Sequence, residues 1–225
     1  MKLWQRGIDF YARGNEPFLS LDMDFEGQFL FDAIGVDEIK IASVDGVKAQ
    51  DANVTRYFSE VAAGTIIITI MEDTCRDSMS GELFRNSVRV QLKRTGEPDY
   101  TAYEGCGRFV TDFGLNDIWA LQSINGIEIE KNTNIPSSVI EFSANENHVM
   151  GTTSCNSFNG SYFIAERGII QFGDMAITKK LCQHMEIENI YSNSLFGRRL
   201  KYTRQHLLLK ISGYDGQEFI FKKVD

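Results

Sequence analysis

The chain has 225 residues and a mass of 25.5 kDa, which allows one large domain or two small ones. Its formal net charge is −8, from 23 basic and 31 acidic side chains, which argues against clustered Lys and Arg binding nucleic acid or an anionic membrane. Hydrophobic residues make up 43% and charged residues 24%, a composition that excludes a globally disordered chain.

The first half of the sequence predicts mainly β-strands. Alternation of apolar and polar residues indicates strands with one buried face, and the β-branched run Ile66–Met71 indicates a fully buried strand. Asp45-Gly46 is typical of a hairpin turn. Residues 112–117 contain Gly114 and Asn116 and are expected to join two domains. The predicted strands are 18–25, 28–31, 39–44, 66–71, 87–93 and 103–110.

The second half predicts more strands and one helix. Asn125-Gly126 is a strong hairpin signal, and residues 214–216 are expected to form another turn. Apolar residues at helical spacing predict a helix over 185–200, with Gly197 placed to end it. The predicted strands are 118–124, 139–142, 148–151, 160–164, 169–172, 205–212 and 217–223.

The four cysteines form two groups, Cys75 with Cys106 and Cys155 with Cys182, one in each half. Four cysteines permit three disulfide connectivities. If there are two domains, the natural disulfides form within each half. The spacing alone is equally compatible with four reduced thiols in the core. No CxxC or HxxxH spacing is present, so we expect no zinc site.

Several motifs in the second half follow one another in a recognisable order. The segment 151–162 reads G-x-x-x-C-N-x-F-x-G-x-Y, and 178–182 reads T-x-x-x-C. With Trp119, Leu121 and Pro136, these motifs make residues 115–225 resemble a META domain, the family that includes the heat-shock protein HslJ. The motif residues are Asn156, Phe158, Gly160 and Thr178.

The first half carries motifs of a second kind. An R-G-N-E-P segment opens it, C-x-D-x-M-S begins at Cys75, and G-C-G surrounds Cys106. This half is similar to small uncharacterised lipoproteins of the bacterial envelope. The motif residues are Arg13, Gly14, Asn15, Glu16, Pro17, Asp77, Met79 and Ser80.

The resemblances imply a mainly β protein with a minor helix. We expect two tandem antiparallel β-sheet or partial-barrel domains, residues 1–112 and 113–225, the second with one packed helix. They also imply that Cys75 pairs with Cys106 and Cys155 with Cys182. The expected location is the cell envelope, periplasmic or anchored to the outer membrane as a lipoprotein. No signal peptide is present in the sequence as written, so an anchoring leader would lie outside it.

Four groups of residues have both a structural and a functional interpretation. Cys155-Asn156 could be a reactive thiol beside an amide, but a bridged cysteine and a turn residue is favoured. Asp77 could bind a cation with Glu72 and Asp73, but turn capping is favoured. Arg13 and Glu16 could contact a ligand or shape a turn. The basic residues Arg198, Arg199, Lys201 and Arg204 could bind an acidic partner or lipid head groups, but a solvated helix end is favoured.

No catalytic, cofactor or metal residues are expected, because the sequence has no G-x-S-x-G, G-x-G-x-x-G or P-loop motif. The leading hypothesis is a non-enzymatic envelope module that binds a protein, peptide or envelope component. Its resemblance to the META domain family links it to envelope stress. The alternative is a carrier for a lipid or other apolar ligand inside a half-open β-barrel, which requires a cavity of about 300 Å³ or more. No nucleic-acid partner is expected, and the sequence leaves the oligomeric state open.

Overall fold

A computed structural model describes residues 2–50, 52–129, 138–181 and 186–224. The chain divides into two compact units, residues 1–110 and 111–225. The boundary predicted from the sequence, between 112 and 113, lies two residues later. Each unit is built on one antiparallel sheet, so the predicted fold class is confirmed. Within the described residues, no helix is long and apolar enough to cross a membrane.

The first unit is a half-barrel of nine strands in the order β4-β3-β2-β1-β9-β8-β7-β6-β5. Its first strand β1 and its last strand β9 therefore lie side by side, while β4 and β5 form the two edges. The strands are β1 (Phe10–Asn15), β2 (Phe18–Met23), β3 (Gln28–Ala33), β4 (Val36–Ala42), β5 (Val47–Lys48), β6 (Val54–Val61), β7 (Gly64–Arg76), β8 (Leu83–Arg94) and β9 (Thr101–Phe109).

The core of the first unit lies on the inner face of this sheet. Alternate residues of most strands face it, as the alternating sequence predicts, and Phe10, Leu21, Phe31 and Val90 are fully buried there. Burial of each large apolar side chain contributes about 1.5–3 kcal/mol. The outer face is consequently left to polar side chains and to the site described below.

The Asp45-Gly46 prediction was wrong. It placed a hairpin between β4 and the next strand, but β5 pairs with β6, at the opposite edge of the sheet from β4. The sequence also missed β1 and β6 as strands. Their mixed polar and apolar residues obscure the alternation, since β6 buries little besides Tyr57.

The second unit is a closed barrel of eight strands, because β18 pairs with both β17 and β10. The short β11 adds to β10 through the predicted turn, where Asn125 and Gly126 both have positive φ. The strands are β10 (Ile118–Ile124), β11 (Ile127–Glu128), β12 (Val139–Ser143), β13 (His148–Thr152), β14 (Ser157–Glu166), β15 (Ile169–Ile177), β16 (Arg199–Gln205), β17 (Leu208–Ser212) and β18 (Glu218–Lys223).

Large side chains occupy the interior of this barrel. Trp119, Tyr162, Tyr191, Phe172 and Phe221 are each at most 1% exposed. These side chains form a packed aromatic core in the described part of the barrel.

The helix α1 spans Glu186–Ser194 and is shorter than the predicted 185–200. Gly197, with φ +66°, ends the helical turn as expected, and the chain then enters β16. Leu200, the last residue of the predicted helix, is instead a buried strand residue of β16.

Candidate functional site

The end of the β7–β8 hairpin folds across the outer face of the first unit's sheet. The β7–β8 register shifts between Glu72 and Cys75, and the Asp73 carboxylate within this bulge accepts hydrogen bonds from Ser87 N–H and Oγ. Cys75 thereby reaches past β8 to Cys106 on β9, with the Cα atoms 5.4 Å apart. The expected Cys75–Cys106 disulfide is confirmed, and it fastens the hairpin to the sheet.

Asp77 organises the tip of this hairpin. Its Oδ1 accepts hydrogen bonds from Met79 N–H, Ser80 N–H and Ser80 Oγ at 2.7–3.1 Å. Its Oδ2 accepts one from Asn15 Nδ2 on β1 at 2.6 Å. These bonds stabilise the ionised carboxylate and lower the pKa of Asp77 below its ordinary value of 3.8, with the Ser80 bonds the largest cause. The Met79 side chain is exposed at the tip.

Two of the carboxylates considered as cation ligands, Asp73 and Asp77, are engaged with protein donors, as the favoured turn-capping interpretation predicts for Asp77. Asp73 binds Ser87, and Asp77 binds the turn that it caps. The described part of the chain contains no group of three or more His, Cys, Asp or Glu side chains placed to hold a metal ion.

Arg13 is tied into the sheet. Its guanidinium donates to the Ala12 and Leu21 carbonyls and to Asp22 Oδ1, at 2.6–3.0 Å. The Asp22 side chain is 7% exposed and also pairs with Arg6 at 2.9 Å. Arg13 thus neutralises a buried carboxylate, which favours a structural role for Arg13 over contact with a ligand. Glu16 and Pro17 form the two-residue turn to β2, joined by a cis peptide bond.

The glycines of the R-G-N and G-C-G motifs allow β1 and β9 to approach closely. A Cβ on Gly14 would lie 2.3 Å from the Glu104 carbonyl oxygen, and one on Gly105 would lie 2.4 Å from that of Arg13. Both positions face Leu19 on the core side. The alternation therefore places Cys106 on the outer face, where Cys75 can reach it.

A cleft of about 400 Å³ lies on the outer face, beside the folded hairpin and the β1–β2 turn. Glu16, Arg89 and Glu104 are exposed in it, and Arg89 Nε lies 3.8 Å from Glu104 Oε1. The disulfide and the hydroxyl-bearing Ser78 and Ser87 complete its wall. The cleft therefore presents charges of both signs to solvent. Its lining residues are Arg13, Gly14, Asn15, Glu16, Met71, Cys75, Arg76, Asp77, Ser78, Ser87, Val88, Arg89, Glu104, Gly105 and Cys106.

Asn156 is the centre of the turn in the second unit's motif, and it is fully buried. Its Nδ2 donates to Glu188 Oε2 at 2.6 Å and to the Lys180 carbonyl at 3.1 Å. Its Oδ1 accepts from Thr178 Oγ1 and Lys180 N–H, both at 2.7 Å. One amide therefore fastens the 153–156 turn to the segment after β15 and to α1.

The other motif residues of this unit also pack or bond within it. Phe158 is buried against Tyr191 and Phe196, with ring centroids 6.2 and 5.0 Å away. Gly160 has no room for a side chain, because a Cβ would lie 2.6 Å from the Asp174 carbonyl oxygen.

Cys155 is disulfide-bonded, so it offers no free thiol beside Asn156. Its Sγ lies 3.5 Å from the Lys180 carbonyl oxygen. The expected partner Cys182 lies outside the described residues, and the Cys155–Cys182 pairing stays a prediction.

The favoured interpretation placed the basic cluster at a helix end, and this was wrong. The helix ends at Ser194, and three of the four residues are on β16. All four have partners within the unit: Arg198 Nε with the Asn193 carbonyl at 3.2 Å, Arg199 with Glu166 at 3.7 Å, Lys201 with the Tyr214 ring at 5.4 Å, and Arg204 with Asp112 at 3.9 Å.

Sequence reasoning missed several residues of these sites. Arg89 and Glu104 line the cleft from neighbouring strands, and only the strand pairing brings them together. Glu188 is a buried acid on an otherwise ordinary helix, and nothing in its sequence context distinguishes it from a solvated residue.

Comparisons with known proteins agree with the second unit's motifs. A family model described as META domain matches residues 111–225. The comparison with curated proteins gave no match. A solved structure entitled "NMR structure of the protein" is similar at 20% identity with a TM-score of 0.40, over 48% of this chain and 90% of that one.

Proposed function

Because the chain belongs to the META domain family, we propose that it is a non-enzymatic, stress-related protein of the bacterial cell envelope that binds a polypeptide partner. The partner is held through a polar segment in the cleft of the first unit. The observation that carries this proposal is the hairpin folded over the outer face, which builds a 400 Å³ cleft with charges of both signs.

The cleft chemistry supports a polar chain as the ligand. Asp77 and Arg13 already bond within the protein, whereas Arg89 and Glu104 share only a long ion pair and are 49% and 73% exposed. Such a pair contributes little to stability and is available to a ligand's opposite charges. A peptide segment that carries Lys and Glu side chains matches this arrangement.

The cysteines support an envelope location and a non-enzymatic role. Disulfides persist in oxidising compartments such as the periplasm. A sulfur held in a disulfide supplies no thiolate nucleophile, and this applies to Cys75, Cys106 and Cys155. A lipid anchor in the outer membrane is part of the proposal, and cell fractionation tests the location.

An NMR titration tests the cleft. A blocked hexapeptide of alternating Lys and Glu is added to ¹⁵N-labelled protein, and a Ser/Ala hexapeptide serves as the control. We expect the charged peptide to shift the amides of 14–16, 76–78, 87–89 and 104–106 and the control peptide to leave them in place. Absence of shifts at millimolar peptide overturns the proposal.

Two double variants show whether the cleft charges are responsible. Arg89→Gln with Glu104→Gln removes both charges and is expected to weaken binding about 10-fold or more, roughly 1.4 kcal/mol. Lys210→Gln with Glu218→Gln removes a matched cross-strand pair in the second unit, 2.5 Å apart, and should bind like the unaltered protein. Equal loss in both variants would indicate non-specific electrostatic binding.

A further inference from the structure

We propose that the first unit binds a small amphiphilic carboxylate with an acyl chain in the seam between β4 and β6. The acyl chain lies on the apolar floor of the seam, and the Arg94 guanidinium holds the carboxylate. This site shares no lining residue with the cleft that is proposed to bind a peptide, so either site can fail without the other.

The seam is the opening of the half-barrel. β4 and β6 lie next to each other, but in the described ladders β4 pairs with β3 and β6 pairs with β5 and β7. At one end the ring of Tyr57 packs edge-on against Phe29, with the centroids 5.7 Å apart. Gly46 packs so closely over this end that a Cβ there would lie 2.5 Å from Thr55 Cγ2. The seam is therefore closed at this end.

The other end of the seam holds a cavity of about 560 Å³. Small-molecule sites typically measure about 300–1,000 Å³, and the lower value is what the carrier hypothesis requires. Val36 and Ile39 line the cavity from β4, and Val61 and Ala63 line it from the end of β6. All four side chains belong to the core of the unit or pack against it. They form the apolar floor of the seam.

A bulge in β4 separates this floor from a charged rim. The β3–β4 register shifts so that Asp37 and Glu38 together stand opposite the single residue Asp32. Val36 and Ile39, on either side of the bulge, therefore both face the core, whereas Asp37 and Glu38 are exposed. An acyl chain over Val36 and Ile39 lies beneath this rim.

Arg94 supplies a cation beside the floor. It follows Val90 and Leu92 at every second position of β8, and because those side chains face the core, Arg94 projects from the same face of the sheet. Its Nη2 donates to the Gly35 carbonyl on the turn between β3 and β4. Among the described residues no carboxylate pairs with Arg94, so its other N–H groups are available to a ligand carboxylate.

The length of the floor sets the length of the chain. Val36–Lys40 spans about 13 Å at about 3.3 Å per residue. A C–C bond of about 1.5 Å advances an extended acyl chain by about 1.25 Å, so about ten carbons cover the floor. Affinity should therefore rise about two- to fourfold with each added methylene and level off near ten carbons.

An NMR titration of the ¹⁵N-labelled full chain with sodium decanoate tests the proposal. We expect millimolar decanoate to shift the amides of 35–40, 61–63 and 94 and to leave those of 104–106, in the cleft, in place. Butanoate, which has the head group without the chain, should shift none of them at the same concentration. Decyltrimethylammonium, which has the chain with a cationic head group, should bind with an affinity about 10-fold lower or less.

Two variants of adjacent residues test the head-group contact. The Lys93 ammonium lies 5.9 Å from the centroid of the Tyr100 ring, and alternation places it on the opposite face from Arg94. Arg94→Gln should lower the affinity for decanoate about 10-fold or more, and Lys93→Gln should change it less than about threefold. Circular dichroism of both variants confirms that the strands are retained.

A titration in which millimolar decanoate shifts no amide of 35–40 and 61–63 overturns the proposal. An affinity that does not depend on chain length also overturns it, because the apolar floor then takes no part in binding. Equal affinities of Arg94→Gln and Lys93→Gln for decanoate overturn the assigned role of Arg94, because the carboxylate is then held elsewhere.

Discussion

Asn15 on β1 donates a hydrogen bond to Asp77 at the tip of the β7–β8 hairpin, and the two residues are 62 positions apart in the chain. The bond spans β8 and β9 to reach β1, in parallel with the Cys75–Cys106 disulfide. Two sequence motifs that are distant from each other therefore act together to hold the hairpin over the cleft.

Acid should release the hairpin tip. The pKa of Asp77 is lowered in the folded protein, so its contribution to stability is fully present above its ordinary value of 3.8 and is lost as the pH falls through the lowered value. We expect the Asp77 carboxyl to titrate below 3.8 by NMR. The protection of the Met79 and Ser80 amides, measured relative to their intrinsic exchange rates at each pH, should fall as that titration proceeds.

Asp77→Asn provides the control for this titration. It removes the charge, so the protection of the tip amides, relative to intrinsic exchange, should already be low at neutral pH and should not fall further in acid. An Asp77 carboxyl that titrates at or above 3.8 would contradict the account of the tip.

Asn156→Ala should destabilise the second unit by about 2–4 kcal/mol. It leaves Glu188 Oε2 and Lys180 N–H without their amide partner in a buried site. Urea denaturation measures the loss, and Asn159→Ala, at an exposed position of β14, should change stability by less than about 0.5 kcal/mol. Comparable losses in the two variants would show that Asn156 is not the fastening point.

Tyr191→Phe should leave the second unit as stable as before or increase its stability by up to about 2 kcal/mol. The Tyr191 Oη is buried without a hydrogen-bond partner among the described residues, and burial raises the pKa of this phenol far above its ordinary value. Removing the hydroxyl removes a desolvation cost and leaves the ring contacts with Phe219 and Phe221.

Thermal unfolding of this variant and of Tyr214→Phe, whose ring is 70% exposed, gives the comparison. A Tm that falls clearly in Tyr191→Phe alone would mean that the hydroxyl has a partner, such as an internal water.

Sequence reasoning identified the elements better than their assembly. Ile66–Met71 and residues 87–93 were identified as strands because a β-branched apolar run and a regular apolar–polar alternation both indicate which side chains are buried. The strand that follows Asp45-Gly46 was not placed correctly, because a turn signal indicates the local backbone conformation but not which strand pairs next. Barrel closure through β10 and β18 likewise depends on long-range pairing that no local pattern reports.

The candidate site divides in the same way. The motif residues Asn15, Asp77 and Cys106 were found from sequence, but their role is to hold one another in place. The charges available to a ligand, Arg89 and Glu104, belong to ordinary alternating strands and become a pair only through the β8–β9 register.

The measurement that tests the proposed function most directly is the affinity of the Lys/Glu hexapeptide for Cys75→Ser/Cys106→Ser. Loss of the bridge, which spans 31 residues, should cost the first unit about 3–4 kcal/mol and speed amide exchange in the hairpin. NMR must show that Leu21 and Phe31 remain in a folded sheet. We predict that affinity falls about 10-fold or more, because the cleft loses its wall. Unchanged affinity with a released hairpin would contradict the account.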